Sequence, residues 1–411
     1  MRDIKSLGVI IEQELSQPFE KISIIKLVDL FVEYAYSAQA SDIHMEPTED
    51  RLRIRYRVDG LLHDAFSKTA GLAKELHPEI VSRIKVLSGL RTDEHLLPQD
   101  GRFKVKIEDF GDVDVRVSII STYYGENAIL RVLAGTQNFE LKDLGFARRD
   151  LEKIESAIAK PYGMILANGP TGSGKTTTLY TIMKRLNKPE ISIITIEDPI
   201  EYSLPGTTQI QTDAEVGLTF AAGLRSILRQ DPNIVMVGEI RDEETAGIAV
   251  NAALTGHLVL STLHTNDAAT TFPRLLDMGV PSFLVASTVN VAVGQRLVRM
   301  LCQTCHVAHT LSVAELESLS ELIPTVDTKM TFYGPKGCPE CSGSGYSGRL
   351  GIREVLEVSD KIRDLIMHRA NAAEIKAAAI SGGMTTMLDD ALAKAAKGLT
   401  SLEEILRVVH E

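Results

Sequence analysis

The chain has 411 residues, 44% hydrophobic and 24% charged, with a formal net charge of −11. This is the balance of a globular protein of about two to three domains, and the acidic excess opposes general nucleic-acid binding, which normally needs a basic face. No apolar run approaches the ~18–20 residues that span a bilayer, and the apolar stretch after Met1 is too short for a signal peptide, so a cytosolic location is the default expectation.

Residues 1–22 are weakly patterned and read as an N-terminal arm. From there Ile24, Leu27, Val28, Phe31 and Ala35 recur at helical spacing, which predicts an amphipathic helix over 23–38. Ser41-Asp-Ile-His-Met-Glu-Pro47 leads into 51–58, where Leu52, Ile54, Tyr56 and Val58 alternate with Arg51, Arg53, Arg55 and Arg57. That alternation predicts a half-buried strand, and Asp59-Gly60 predicts a hairpin turn after it. The four arginines read either as a solvated face or as a basic surface against an acidic neighbour, in another subunit or a partner. A helix over 77–89 and strands over 101–107, 112–119 and 127–133 complete an α+β domain, 23–133. Residues 134–145 read as a linker.

The next region alternates strands (164–167, 191–196, 234–237, 258–262) with helices (151–159, 177–186, 220–228, 243–254). This is the βαβ rhythm of a parallel, helix-covered sheet, whose ligands belong at the carboxyl ends of the strands. Gly169-Pro170-Thr171-Gly172-Ser173-Gly174-Lys175-Thr176 sits between the first strand and a helix that opens with Thr177. Glycines let successive backbone N–H groups turn inward on phosphate oxygens. The helix N-terminus adds partial positive charge, Lys175 reaches the β- and γ-phosphates, and the Thr176 hydroxyl suits Mg²⁺. The stretch predicts a nucleoside triphosphate site.

Ile196-Glu197-Asp198-Pro199-Ile200-Glu201 puts three carboxylates at a strand end, where they suit Mg²⁺ through water or orient an attacking water. Ile234-Val-Met-Val-Gly238-Glu239 is an apolar strand ending in an acid, the Walker B layout. The usual metal-side aspartate falls at Gly238. The base or water-positioning role therefore goes to Glu239, and Mg²⁺ leans on Thr176, waters and the carboxylates of 197–201. A fourth strand lies between His257 and His264. A histidine at a strand end is commonly structural, but this strand neighbours the phosphate site, so a catalytic role stays open for His264.

The four cysteines form two pairs, Cys302-Gln-Thr-Cys305 and Cys338-Pro-Glu-Cys341. Four thiolates in two such knuckles suit a structural Zn²⁺ with a closed coordination sphere. The alternatives are a reduced metal-free cluster, or His306 or His309 in place of one cysteine. Arg296, Arg299 and Lys336 are close enough in sequence to offset the charge of such a site.

With these motifs in order, the chain resembles the secretion ATPases that power type II secretion and type IV pilus assembly. The likeness rests on the Walker A turn 169–176, the aspartate box 197–201, the Walker B pair Gly238-Glu239 and the histidine box 257–264. Ser41-Asp-Ile-His-Met-Glu-Pro47 and Leu97-Pro-Gln-Asp-Gly-Arg102 also match, and the likeness runs from Ile24 to the C-terminus. It implies a RecA-like P-loop ATPase domain, 146–300, preceded by the smaller α+β domain. A tetracysteine zinc module, 301–345, and a C-terminal helical region, 346–411, follow. It further implies ATP and Mg²⁺, a ring-shaped homo-hexamer at the cytoplasmic face of the inner membrane, and a membrane-embedded platform protein as partner. Membrane association is then peripheral, through partners. Site residues implied are Glu239, Glu201 and His264, with Arg116 and Arg131 of the N-terminal domain completing a neighbour's site.

The cysteine module resembles the assembly and secretion branch; retraction motors lack it. Two departures stand out. Long members carry a further domain ahead of the amphipathic helix, where this sequence has only its first 22 residues, as a trimmed chain or a short member recruited differently would. Asn168 precedes the Walker A turn where a small or hydroxyl residue is more usual. Competing readings are a pilus retraction ATPase and a RecA-like nucleic-acid motor, which the acidic balance and the absence of Trp disfavour. A zinc scaffold that only binds nucleotide is a third, against which Lys175, Thr176 and Glu239 weigh.

Overall fold

The computed structural model describes residues 4–65, 72–107, 111–133, 139–309, 331–341 and 343–410. Residues 134–138 of the expected linker and 310–330 of the loop between the cysteine pairs lie outside the described residues. The chain divides into two compact units, Met1–Gln137 and Asn138–Glu411.

In the first unit the strands are β1 (Ala40–Pro47), β2 (Arg51–Val58), β3 (Leu61–Asp64), β4 (Leu72–Ala73), β5 (Gln99–Ile107), β6 (Gly111–Thr122) and β7 (Gly125–Leu133). They form an antiparallel sheet in the order β3-β2-β1-β7-β6-β5, with β4 beside β2. Strand alternation does what period 2 requires. Ile43, Met45, Leu52, Ile54, Val115, Val117 and Leu130 are buried together with Leu27 and Phe31 of the helix Ile24–Ser37 and Ile80 and Ile84 of the helix Leu76–Leu87. Ser23 caps the first of these helices by accepting from the Lys26 N–H. Asp59 and Gly60 both take positive φ, 49° and 90°, as the tight hairpin turn demands.

Two segments differ from expectation. The arm is a packed helix, Ile4–Leu15, because Leu7 and Ile11 lie one turn apart and are both fully buried. Its buried Glu14 accepts from the Ser23 N–H at 2.9 Å and pairs with Lys26 at 2.7 Å. The segment ahead of the arginine strand is itself a strand, β1, in the middle of the sheet.

In the second unit the strands are β8 (Gly163–Asn168), β9 (Ile193–Glu197), β10 (Thr208–Gln211), β11 (Ile234–Val237), β12 (Leu258–Leu263), β13 (Val289–Leu301), β14 (Val307–His309), β15 (Phe332–Gly334) and β16 (Tyr346–Glu357). Among the described residues the main sheet runs β10-β9-β11-β12-β8-β13-β16, parallel except for β16. Every residue of β8, β11 and β12 is buried, as expected of strands covered on both faces. β14 and β15 form a separate two-stranded ribbon.

The region 346–411, expected to be helical, begins instead with β16 and becomes helical from Asp360. Leu350 and Ile352 alternate around Gly351, a period-2 signal, and β13 supplies an antiparallel partner along nearly its full length.

Candidate nucleotide site and cysteine centre

The phosphate-binding turn follows β8 and feeds the helix Lys175–Leu186. Gly169, Gly172 and Gly174 take φ of 142°, 79° and 87°, a range L side chains rarely adopt. A Cβ at Gly169 would stand 2.3 Å from the Gln295 carbonyl oxygen, so the backbone passes there only as glycine. The helix starts from Gly174, which has no side chain to cap it, so the first-turn N–H groups receive no side-chain acceptor from that position. Ser173 is buried, and its Oγ lacks a hydrogen-bond partner among the described residues. A helix N-terminus without a side-chain cap and an orphaned buried hydroxyl suit an anionic group such as a triphosphate.

Lys175 is nearly buried, and its Nζ donates to the Gly169 and Pro170 carbonyls at 2.8 and 3.0 Å. Burial lowers its pKa, while the Glu239 charge opposes that shift. Thr176 and Thr177 are half-buried in the same turn, and Pro170 and Thr171 are exposed at its tip.

Gly238 follows β11. A Cβ there would meet Glu197 Cα and the Ile196 carbonyl oxygen at 3.3 Å and the Phe220 ring at 3.5 Å. The missing Walker B aspartate thus has a packing reason: the neighbouring β9 backbone leaves little room for a side chain. Glu239 is buried, and its Oε2 takes both Arg241 Nε at 2.6 Å and His264 Nε2 at 3.0 Å. Arg241 escaped sequence reasoning, although it stands two residues past the acid. His257 instead turns its Nδ1 to the Ala252 carbonyl at 3.0 Å, at the end of the helix Glu243–Leu254.

The aspartate box is divided. Glu197 is buried and accepts from Thr195 Oγ1 at 2.6 Å, from Gln209 Nε2 at 3.2 Å and from the Tyr180 hydroxyl. Burial, then the hydrogen bond to Glu197, pushes the Tyr180 hydroxyl far up. The expectation that this carboxylate serves Mg²⁺ is therefore corrected: its oxygens are occupied inside the fold. Asp198 is exposed, and its charge acts on Arg241. Glu201 lies by the tyrosine pair Tyr180–Tyr202, where burial and then the charges of Glu197 and Glu201 push Tyr202 up to about 12. Lys175, Glu239 and His264 are thus brought together, with Glu201 in the adjoining tyrosine cluster.

In the first unit the cross-strand registers align Arg57, Asp42, Arg131, Arg116 and Arg102 in one row over β2, β1, β7, β6 and β5. Arg131 Nε donates to Asp42 Oδ1 at 3.0 Å, and Arg57 pairs with Oδ2 at 3.6 Å. The β2 arginines that left two readings open find acids within this chain: Arg51 with Asp50, Arg53 with Asp64 and Arg55 with Glu46.

The four cysteine sulfurs lie within 4.8 Å of one another, with Sγ–Sγ distances of 3.8, 3.8 and 3.7 Å for 302–338, 305–341 and 338–341. Zn–S bonds of about 2.3 Å in a tetrahedron put sulfurs about 3.8 Å apart, so the donor set fits zinc. Burial raises the Cys341 thiol, but the Cys338 and Gly345 N–H groups outweigh that and bring it to about 6, favouring a thiolate. His306 turns to the Cys302 carbonyl and packs edge-on to Tyr333, and His309 lies in β14 opposite Phe332, so neither replaces a cysteine. Arg296 and Arg299, expected to offset the site's charge, are engaged with the Val408 carbonyl and Glu404.

The family described as "Type II/IV secretion system protein" matches residues 18–407. Type II secretion system protein E of Xanthomonas campestris pv. campestris is 45% identical over 94% of this chain and 68% of its own length. The type IV pilus assembly ATPase PilB of Myxococcus xanthus is 43% identical over 96% of this chain and 69% of its own. In fold, the chain is similar to the Legionella pneumophila ATPase DotB, at a TM-score of 0.69 and 23% identity over 96% and 98% of the two chains. The pilus retraction motor PilT with bound ADP aligns at 0.61 and 25% identity over 92% and 96%. With its P-loop, terminal Walker B glutamate and four-thiol cluster, the chain belongs to the type II/IV secretion system protein family, as one of its ATPases.

Proposed function

We propose that this chain is the hexameric ATPase of a type IV pilus assembly or type II secretion system, acting on an inner-membrane platform protein from the cytoplasmic face. The observation that carries the reading is the convergence of Lys175, Glu239 and His264 at the carboxyl ends of one sheet, in a chain whose family serves both machines. No helix among the described residues is long and apolar enough to cross a membrane; in this reading, contact with the membrane runs through partners.

The turn 169–174 and the helix start at Lys175, Thr176 and Thr177 bind the ATP phosphates. Lys175 exchanges its two carbonyl contacts for phosphate oxygens. Thr176 is the Mg²⁺ ligand; Mg²⁺ when bound screens the charge between the β- and γ-phosphates. Glu239 orients the attacking water and takes its proton, with Arg241 and His264 holding one carboxylate oxygen so that the other faces the water. Glu201 supports the same water from the aspartate box. Arg116 and Arg131 reach a neighbouring subunit's γ-phosphoryl group, so turnover requires the assembled ring. Cys302, Cys305, Cys338 and Cys341 hold a structural zinc.

The test is made in the source organism with Glu239→Gln in place of the native copy, counting surface filaments by electron microscopy and assaying secreted proteins in the same cells. Lost filaments with secretion intact identify a pilus assembly motor; retained cargo with normal filaments identifies a secretion motor. An excess of filaments would mean retraction and would overturn the reading.

A further inference from the structure

Gln295 is fully buried in β13, the strand next to β8. A buried amide is costly unless its donor and acceptor are both used. Here both ends go to the phosphate-binding turn. Nε2 donates to the Ser173 carbonyl at 2.9 Å, and Oε1 accepts from Thr178 Oγ1 at 2.9 Å. The partners fix which end is which, because a carbonyl only accepts. The two contacts fall on either side of Lys175 and Thr176.

The geometry has a consequence for the turn. The carbonyl of Ser173 and the N–H of Gly174 share one planar trans peptide and point in opposite directions. Holding the oxygen against Gln295 aims the Gly174 N–H away from β13, to the opposite side of the turn. Gly174, at a φ of 87°, then passes directly into the helix. The backbone oxygen of the same Gln295 abuts Gly169, at the other end of the turn. One strand residue therefore touches the turn's start, its last peptide and the helix it feeds.

We propose that Gln295 is a positioning residue for nucleotide binding, fixing the 173–174 peptide and the first helical turn in their phosphate-binding shape. The inference rests on the reading of 169–176 as the phosphate cradle and adds to it a residue 122 positions beyond Ser173. A residue that only fills the core would affect stability and leave nucleotide affinity alone.

The test uses the full chain, with MgATP affinity by calorimetry and thermal unfolding measured with and without MgATP. Gln295→Met, similar in length but unable to donate, is expected to weaken MgATP binding by about tenfold or more, the scale of one buried acceptor left unpaired. Thr178→Val is expected to weaken it several-fold, with Thr178→Ser restoring wild-type affinity. The stabilisation by MgATP should shrink in step with affinity. Wild-type affinity in both Gln295→Met and Thr178→Val, beside lost binding in Lys175→Ala, would overturn the inference while leaving the cradle intact. Retained binding in Lys175→Ala would overturn the cradle reading itself. Should Gln295→Met fail to fold, the Thr178 pair decides: unchanged affinity in Thr178→Val counts against the proposal.

Discussion

Glu404 offers a measurable handle on how the C-terminal helix, Leu402–His410, holds β13, the strand that leads into the cysteine centre. Its side chain is fully buried and accepts from the Arg299 N–H at 2.9 Å, Arg299 NH2 at 2.7 Å and Arg407 Nε at 3.0 Å. Burial alone would raise its pKa, but the Arg407 and Arg299 hydrogen bonds outweigh that and take it from 4.5 to about 2. At about 1.36 kcal/mol per pH unit, that difference is roughly 3 kcal/mol of stability. The folded pKa lies below the unfolded one, so the contribution is complete above about pH 4.5 and disappears as pH falls towards 2. Glu404→Gln keeps the shape and removes the charge. It should therefore unfold about 3 kcal/mol more easily at pH 7, with the gap to wild type closing between pH 4.5 and 2. The chain has no Trp, so circular dichroism in a denaturant series is the assay. A gap under about 1 kcal/mol at pH 7, or one that persists undiminished in acid, would refute the charge argument.

Three further outcomes follow from the site. Lys175→Ala should lose ATP binding, whereas Glu239→Gln should bind ATP and turn over at least ~10²-fold slower, the scale of a lost general base; normal turnover in Glu239→Gln would remove that role. Arg131→Ala should slow turnover in assembled rings while single subunits still bind ATP, and unchanged ring turnover would take Arg131 out of the site. Metal analysis of the purified chain should find one zinc per chain, lost in Cys338→Ser together with local order around the two knuckles; a full zinc complement in Cys338→Ser would refute four-thiol ligation.

The strongly patterned segments of the fold were readable. The helix that Ser23 caps, the Asp59-Gly60 turn and the strand Ile234–Val237 each carry their own local signal: apolar residues at helical spacing, an Asp-Gly pair and an apolar run ending in an acid. The glycine turn was readable because phosphate binding demands residue types at fixed spacing. The fate of Glu197 was not. A carboxylate at a strand end looks the same whether it faces Mg²⁺ or a tyrosine hydroxyl, and only Tyr180, 17 residues away, decides between them. Arg241 was missed because an exposed arginine after an acid carries no spacing rule that separates it from a solvated one.

β13 shows why the remainder stayed hidden. Periodicity reports a strand with one face covered, and β13 has β8 on one edge, β16 on the other and mostly buried residues along its length. Its apolar run ends at Val293; beyond it Gln295, which no pattern singles out, is fully buried, and Arg296 and Arg299, expected to offset the charge of the cysteine site, bind the C-terminal helix instead. A polar residue in a strand covered on both faces must be paired within the fold rather than hydrated. In this chain those pairings run from the phosphate turn through Gln295 to the C-terminal helix, and β13 itself ends at Leu301, one residue before Cys302, so one strand joins the nucleotide site to the thiol cluster. That connection lies in contacts between residues more than a hundred positions apart, beyond the reach of any local pattern.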